Sequence, residues 1–198
     1  MQKAVFLDRD GVLNKMVWHS EFGIVDSPCN PDELEIIPEA EQALKILRDL
    51  GYLLFLISNQ PIIAKGKVTK ELFNQIDSKF QNWFKEKGIE FDKVYYCLHH
   101  PDANQVKNTQ YLAECDCRKP KPGMILQAQK EFDIDLANSF VIGDGITDIQ
   151  AGKTAGCKTI FIGEVKCEHC NKFQEKNINP DYIAKDLLSA AQIIKTII

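Results

Sequence analysis

Residues 6–14, FLDRDGVLN, place two carboxylates, Asp8 and Asp10, and the cation Arg9 directly after a short apolar run. The residues leading into them, KAVFLD (3–8), are typical of a strand buried on both faces. Ionised side chains are costly in such a setting unless a counter-charge or a metal ion offsets them. This stretch therefore predicts a buried strand that ends in a functional site.

Similar apolar runs recur along the chain and alternate with segments of helical period. The further predicted strands are YLLFLIS (52–58), FDKVYYC (91–97), SFVIGD (139–144) and CKTIFIG (157–163). The predicted helices are PEAEQALKILRDLG (38–51), TKELFNQIDSKFQNWFKEKG (69–88), PGMILQAQKEF (122–132) and TDIQAGKTAG (147–156). This alternation indicates an α/β fold with a largely parallel sheet covered on both faces. Residues 11–36 and 98–121 do not follow the pattern, and we expect them to be functional loops.

Composition limits the classes of protein and partner. A chain of 198 residues suits one domain spanning residues 1–198. Its 24 basic and 28 acidic residues give a net charge of −4 without long runs of either sign, which argues against a nucleic-acid partner. The longest apolar run, YLLFLI (52–57), is too short to span a membrane, and the N-terminus lacks a signal-peptide pattern. We therefore expect a cytoplasmic monomer.

Polar residues follow the predicted strands, where open parallel sheets bind their ligands. They are Asp8 and Asp10 after the first strand, Ser58, Asn59 and Gln60 after the second, Asp144 after the fourth, and Arg118, Lys119 and Lys121 before the third helix. Three carboxylates, a hydroxyl and several cations on one rim are the groups that Mg²⁺-assisted phosphoryl transfer requires.

Four of these segments resemble, in order, the motifs of the haloacid dehalogenase-like (HAD-like) phosphatase superfamily. They are DRDGVLN (8–14), SNQ (58–60), RKPKPGM (118–124) and GDGITD (143–148). Each alone fits an ordinary turn, but four in order at strand ends are specific. The resemblance covers most of the chain. It implies a Rossmann-like three-layer sandwich with small loop inserts in place of a cap domain.

The resemblance also implies a role for each motif residue. Asp8 would be the nucleophile that forms an aspartyl-phosphate, and Asp10 the general acid and base. Mg²⁺ would be held by the Asp8 carboxylate, the Asp10 backbone carbonyl and the Asp144 carboxylate. Ser58 would donate a hydrogen bond to the phosphate, and Lys119 would pair with the phosphate and with Asp8. A metal and a lysine would thus offset the carboxylates of the opening stretch.

The segment CLHHPDANQVKNTQYLAECDC (97–117) carries two closely spaced ligand pairs, Cys97 with His99 and Cys115 with Cys117. Cysteines in a reducing compartment at this spacing favour metal binding over disulfides. The four residues can form a closed, structural Cys₃His zinc site. His100 is an alternative ligand, but alternation along an extended segment favours His99. The zinc would hold the phosphate-binding cations that follow this loop.

This loop narrows the resemblance to the branch that contains heptose 1,7-bisphosphate 7-phosphatases and histidinol-phosphate phosphatases. A bisphosphate needs extra cations, whereas histidinol phosphate, a cationic substrate, needs acids. The candidate substrate contacts are Asn59, Arg118, Lys65 and Lys121, and the candidate acids are Glu21, Asp26 and Asp32. The cations favour Mg²⁺-dependent hydrolysis of the 7-phosphate of the heptose bisphosphate. Histidinol-phosphate hydrolysis and a catalytically inactive, zinc-stabilised binding module are the alternatives.

Some residues lie outside this scheme. Pro61 and Gly145 depart from the branch, which usually has a small residue and a lysine there. CEHC (167–170) with His169 would need a further ligand from outside to form a second closed zinc site, so we expect free thiols or an adventitious metal ion there, with an outside-completed zinc site as the alternative. Cys157 begins a strand and is expected to be buried, while Cys29 has no evident partner in the sequence.

Overall fold

A parallel sheet forms the centre of the computed structural model, which describes residues 1–21 and 23–198. The strands are β1 (Ala4–Leu7), β2 (Val17–His19), β3 (Ile24–Asp26), β4 (Leu53–Asn59), β5 (Lys93–Cys97), β6 (Phe140–Gly143), β7 (Lys158–Ile162) and β8 (Tyr182–Ala184). Six of them form the sheet in the order β5-β4-β1-β6-β7-β8. Every neighbouring pair in this sheet is parallel. The predicted α/β class is confirmed.

Helices cover both faces of the sheet. They are α1 (Ala40–Asp49), α2 (Lys70–Glu86), α3 (Gly123–Phe132), α4 (Ile146–Ala155), α5 (Cys167–Glu175) and α6 (Leu187–Ile197). Alternate residues of β1 point to opposite faces, so Val5 and Leu7 pack with α1 and α6 while Ala4 and Phe6 pack with α3 and α4. The result is a three-layer sandwich with β1 buried between two apolar cores. Across the described ranges, none of the helices has the length and apolar character needed to cross a membrane.

The two segments without a predicted pattern stand at the ends of the strands. Residues 11–36 contain the antiparallel β2–β3 hairpin and a 3₁₀ turn at Pro31–Glu33; Phe22 of this segment lies outside the described residues. The segment after β5 contains a 3₁₀ turn at Thr109–Tyr111 and is tied to the chain after β4 by a hydrogen bond from Lys107 N–H to the Ala64 carbonyl, 2.9 Å. These are the predicted small loop inserts.

The C-terminal part of the chain extends the sheet beyond the predicted elements. The β8 strand pairs with β7, and α6 packs on the same core as α1. Asp186 begins α6, and its side chain accepts a 2.7 Å hydrogen bond from the Ser189 N–H. With only three residues, Tyr182–Ala184, β8 is too short to give a clear periodic signal in the sequence.

Candidate active site and cysteine cluster

A cavity of about 240 Å³ opens at the carboxyl ends of β1, β4 and β6. This is the edge at which parallel sheets bind ligands. Its lining residues are Asp8, Asp10, Met16, Asp26, Ser27, Ser58, Asn59, Pro61, Arg118, Lys119, Asp144 and Thr147. The four sequence motifs therefore meet in one place.

Lys119 is a buried cation held between carboxylates. Its Nζ lies 2.9 Å from Asp8 Oδ1 and 2.5 Å from Asp148 Oδ1, and it donates a 2.8 Å hydrogen bond to the Ile57 carbonyl. Burial alone would lower the pKa of Lys119, but Asp148 and Asp8 outweigh it and raise the pKa. Lys119 is therefore charged, and its position is fixed from three sides.

Asn59 is occupied with the backbone of Lys119. The Asn59 Nδ2 donates to the Lys119 carbonyl at 2.9 Å, and the Lys119 N–H donates to Asn59 Oδ1 at 3.0 Å. Asn59 lines the cavity as expected for a substrate contact. The Asn59 amide, however, uses one donor and one acceptor to position the backbone of Lys119, which leaves fewer hydrogen-bonding groups for a substrate.

Asp144 completes a group of three carboxylates. One oxygen from each of Asp8, Asp144 and Asp148 lies within 4.8 Å of the others. Burial, together with the charges of Asp8 and Asp148, raises the pKa of Asp144 to about 8. Gly11 allows the close approach of Asp144, since a Cβ at this residue, whose φ is +82°, would lie 2.0 Å from Asp144 Oδ2. Carboxylate oxygens with one lysine among them leave negative charge that suits Mg²⁺.

Asp10 lies in a dense hydrogen-bond network. Its carboxylate accepts hydrogen bonds from Arg9 Nη2 at 3.1 Å, Asn14 Nδ2 at 2.9 Å, Ser27 Oγ at 2.9 Å and Gln60 Nε2 at 2.5 Å. Burial raises the pKa of Asp10, but the Arg9 charge and these hydrogen bonds together lower it below its ordinary value. The network therefore favours the ionised form.

The remaining predicted substrate contacts differ in position. Arg118 lines the cavity and donates a 3.1 Å hydrogen bond from Nη1 to the His99 carbonyl. Among the described residues that form the cavity wall, neither Lys65 nor Lys121 is found. Burial lowers the pKa of Lys65, with Asp26 acting in the opposite direction and the charges of Lys67 and Arg118 adding to the effect of burial. Lys121 is exposed, with its Nζ 3.4 Å from Asp116 Oδ1.

The predicted zinc ligands converge in the loop after β5. The three sulfur atoms of Cys97, Cys115 and Cys117 lie 3.2–3.5 Å apart. The His99 Nδ1 lies 3.6 Å from Cys117 Sγ and 4.0 Å from Cys97 Sγ. These distances exclude disulfides and suit four ligands around one zinc ion. His100 is turned away, and its Nδ1 accepts a 3.2 Å hydrogen bond from the Asp102 N–H.

The other cysteines are separate from this cluster. Cys157 is buried as expected, and burial raises the pKa of its thiol to about 12. Cys167 and Cys170 are exposed on α5 as free thiols. Cys29 does have neighbours, because its Sγ lies 3.8 Å from His19 Nε2.

Several site residues received no role from sequence reasoning. Arg9, Asn14, Gln60 and Asp148 all lie inside the recognised motifs. The sequence therefore pointed to these positions, but it did not give the residues that they contact. Ser27 had no signal, because its hydrogen bond to Asp10 depends on how the β2–β3 hairpin folds over β1. The residues that orient the site are thus mostly neighbours of the predicted ones.

Comparisons with known proteins agree with this geometry. A family model described as HAD-hydrolase-like matches residues 116–190. The D-glycero-beta-D-manno-heptose-1,7-bisphosphate 7-phosphatase of Pasteurella multocida (strain Pm70) is 42% identical over 163 residues, covering 82% of each chain. The enzyme of that name from Vibrio cholerae is 43% identical over 157 residues, covering 79% of this chain and 78% of the other. A crystal structure of D,D-heptose 1,7-bisphosphate phosphatase from B. bronchiseptica, complexed with magnesium and phosphate, has a TM-score of 0.77 at 27% identity and covers 98% of both chains.

The sheet order, the residues at its carboxyl edge and these matches define a hydrolase of the HAD-like phosphatase class. Within that class the relatives are phosphoric monoester hydrolases that act on one sugar bisphosphate, as their names state. The chain belongs to the family of D-glycero-D-manno-heptose-1,7-bisphosphate 7-phosphatases.

Proposed function

We propose that this protein hydrolyses the 7-phosphate of D-glycero-D-manno-heptose 1,7-bisphosphate, with Mg²⁺ as cofactor and an aspartyl-phosphate on Asp8 as intermediate. The observation that carries the proposal is the position of Asp8, whose carboxylate faces the cavity beside the buried Lys119. The identity of the relatives supports the choice of substrate.

Asp8 is the nucleophile in this proposal. Its Oδ1 accepts a 2.7 Å hydrogen bond from the Arg9 N–H and pairs with Lys119 Nζ at 2.9 Å. These two contacts fix the orientation of the carboxylate. An ionised, oriented carboxylate can attack phosphorus, which splits the hydrolysis into two easier steps.

The three groups proposed to hold Mg²⁺ are the Asp8 carboxylate, the Asp10 backbone carbonyl and the Asp144 carboxylate. The raised pKa of Asp144, caused by burial and by the carboxylates of Asp8 and Asp148, is what a site built for a cation would produce in its absence. Bound Mg²⁺ supplies positive charge that reduces the repulsion between an anionic nucleophile and an anionic phosphate. Asp148, by pairing with Lys119, keeps this lysine beside Asp8.

Asp10 is the general acid and base. The hydrogen bonds that lower its pKa favour the ionised form, which takes a proton from water when the aspartyl-phosphate is hydrolysed. In the first step Asp10 must instead give a proton to the leaving oxygen. A phosphate group entering the cavity adds negative charge beside Asp10 and raises its pKa, which favours proton uptake at that stage.

The phosphate groups of the substrate meet separate cations. Ser58 and Lys119 are proposed to bind the reacting phosphate, since both line the cavity beside Asp8. Arg118, which also lines the cavity, is proposed to bind the other phosphate, and Lys65, outside the cavity wall, is proposed only to add positive charge to its surroundings. Lys121 has no part in this proposal, because it points to Asp116 and lines a different cavity.

A cationic substrate such as histidinol phosphate is less well matched. Of the first-loop acids among the described residues, Asp26 lines the cavity, whereas Glu21 and Asp32 do not. Asp26 is already ion-paired with Lys67. The acid that such a substrate would need is therefore neutralised, which favours the bisphosphate.

The Cys97, His99, Cys115 and Cys117 cluster is proposed to bind a structural zinc ion. Four protein ligands would leave no open position for chemistry. The zinc would anchor the loop that carries Arg118, whose guanidinium already holds the His99 carbonyl. Thiols that remain reduced to bind zinc suit the cytoplasm, where we propose that the protein works as a single-domain monomer.

Phosphate release tests the proposal. The assay compares kcat/KM for heptose 1,7-bisphosphate and for histidinol phosphate, with Mg²⁺ and after chelation, and identifies the sugar product by NMR. We expect heptose 1-phosphate as product and a strong preference for the bisphosphate. Asp8→Asn should lose at least about 10³-fold in kcat, while Asp49→Asn on the exposed surface of α1 should retain full activity. Wild-type turnover by Asp8→Asn, or a preference for histidinol phosphate, would refute it.

A further inference from the structure

A second group of metal-binding side chains lies outside the cysteine cluster, in the β2–β3 hairpin and the turn that follows it. His19 ends β2, Cys29 follows β3, and Glu33 ends the 3₁₀ turn. One donor atom from each of them lies within 4.8 Å of the others. We propose that His19, Cys29 and Glu33 bind a zinc ion.

The distances between the donor atoms support this site. The Cys29 Sγ lies 3.8 Å from His19 Nε2. Without the ion, His19 Nε2 and Cys29 Sγ both donate to the Ser27 carbonyl oxygen, at 3.1 Å and 3.7 Å, and zinc binding would replace these two protons. Ligand atoms at about 2.0–2.3 Å from a tetrahedral zinc are separated by about 3.3–3.7 Å. The Cys97 cluster of the same structure shows a comparable spread, 3.2–4.0 Å.

Surrounding residues already restrict the side chains of two proposed ligands, the buried His19 and the carboxylate of Glu33. His19 is 4% exposed, and its other ring nitrogen, Nδ1, faces Glu21 Oε1 at 3.9 Å. The Glu33 carboxylate is oriented by a 2.7 Å hydrogen bond from the Cys29 N–H to Oε2.

The position of the site indicates what the ion does. Zinc held by His19, Cys29 and Glu33 would tie the hairpin to the 3₁₀ turn. Ser27 lies between these ligands, and its hydroxyl donates to Asp10 at 2.9 Å. The ion would therefore hold the hairpin against the reaction cavity, whatever the substrate. Three side chains leave its fourth coordination position to water or to the Ser27 carbonyl oxygen.

Zinc stoichiometry on the full chain tests the site. The protein carries Cys167→Ser and Cys170→Ser, which removes the exposed thiols, and is equilibrated with Zn²⁺ before its metal content is measured by mass spectrometry. We expect two zinc ions per chain. Cys29→Ser or Glu33→Gln should each reduce the content to one, and Glu35→Gln, an exposed neighbour, should leave two. Glu33→Gln keeps an acceptor for the Cys29 N–H, so the turn is expected to fold.

A second measurement follows Cys29 directly. Alkylation of Cys29, read by peptide mass spectrometry, should slow at least tenfold when Zn²⁺ is added. One zinc per chain that disappears with Cys117→Ser, a second zinc that survives Cys29→Ser and Glu33→Gln, or equal alkylation rates with and without Zn²⁺ would each overturn the inference. These readouts measure metal binding, so their failure would leave the proposed phosphatase activity untouched.

Discussion

Lys119 and Asp148 form a buried ion pair, with Nζ 2.5 Å from Oδ1, and the same lysine also reaches Asp8 at 2.9 Å. One buried cation thus pairs with two carboxylates. Asp144 adds a third carboxylate to the group. Three carboxylates with one lysine need further positive charge for balance. The group should therefore respond both to removal of the lysine and to binding of Mg²⁺.

Replacing Lys119 by methionine should destabilise the protein and abolish activity. The change leaves Asp8 and Asp148 without their buried partner, and breaking such a pair costs about 3–5 kcal/mol. Mg²⁺ should recover part of the lost stability, which urea denaturation with and without Mg²⁺ would measure. Lys121→Met, two residues along at an exposed position, should change stability by less than about 0.5 kcal/mol. Equal stability of the two variants would contradict the buried pairing.

Mg²⁺ binding should release a proton at pH 7. Because the pKa of Asp144 is raised to about 8, this carboxyl is mostly protonated at pH 7 in the metal-free protein. The metal binds the ionised form, so the apparent Mg²⁺ affinity should rise about tenfold per pH unit below that pKa and level off above it. Calorimetric titrations in two buffers of different ionisation enthalpy would count the proton. Identical heats in both buffers would contradict the shift.

Removing the Ser27 hydroxyl should alter the pH dependence of the reaction. Ser27→Ala deletes one of the hydrogen bonds that favour ionised Asp10, so the pKa of Asp10 should rise. The limb of the kcat profile that reports Asp10 should move to higher pH. Ser20→Ala, at an exposed position of the same hairpin, should leave the profile unchanged. A loss of activity without a shift of the profile would point to a structural effect alone.

Loss of the cysteine cluster should affect substrate binding more than chemistry. Cys117→Ser removes one of the four proposed zinc ligands and leaves Cys97, His99 and Cys115, so we expect the zinc of that cluster to be lost. The Tm should fall by more than about 5 °C, which corresponds to roughly 2 kcal/mol for a chain of this length. KM for the bisphosphate should rise more than kcat falls, because Arg118 is held by the loop and Lys119 by the sheet. A larger fall in kcat than rise in KM would argue against separate roles for the loop in binding and the sheet in chemistry.

Sequence reasoning succeeded where periodicity or motif order carries the information. The short apolar run before Asp8 predicted a strand in the core of the sheet, and β1 is such a strand. Because the motif residues follow parallel strands, they were also predicted to meet at one edge of the sheet. It could not give contacts that depend on close packing. Asp148 was visible in its motif, but its pairing with Lys119 requires Gly143, where a Cβ would lie 2.3 Å from the Asp148 side chain.

The β2–β3 hairpin shows the same limit. Its strands, Val17–His19 and Ile24–Asp26, have three residues each, which is too short for a reliable alternation signal. Cys29 lacked an evident partner in the sequence because His19 is ten residues away and approaches only when the hairpin closes.

Arg118 and Lys119 are adjacent in the chain but are anchored to different parts of the molecule. Arg118 is bound to the His99 carbonyl of the loop, whereas Lys119 is bound to the Ile57 carbonyl and to Asn59, both of β4. The peptide bond between them therefore separates the proposed reaction centre, which is built into the sheet, from the proposed recognition segment, which is added to its edge. We expect that exchanging the segment after β5 for another sequence would alter the substrate while the proposed chemistry at Asp8 persists.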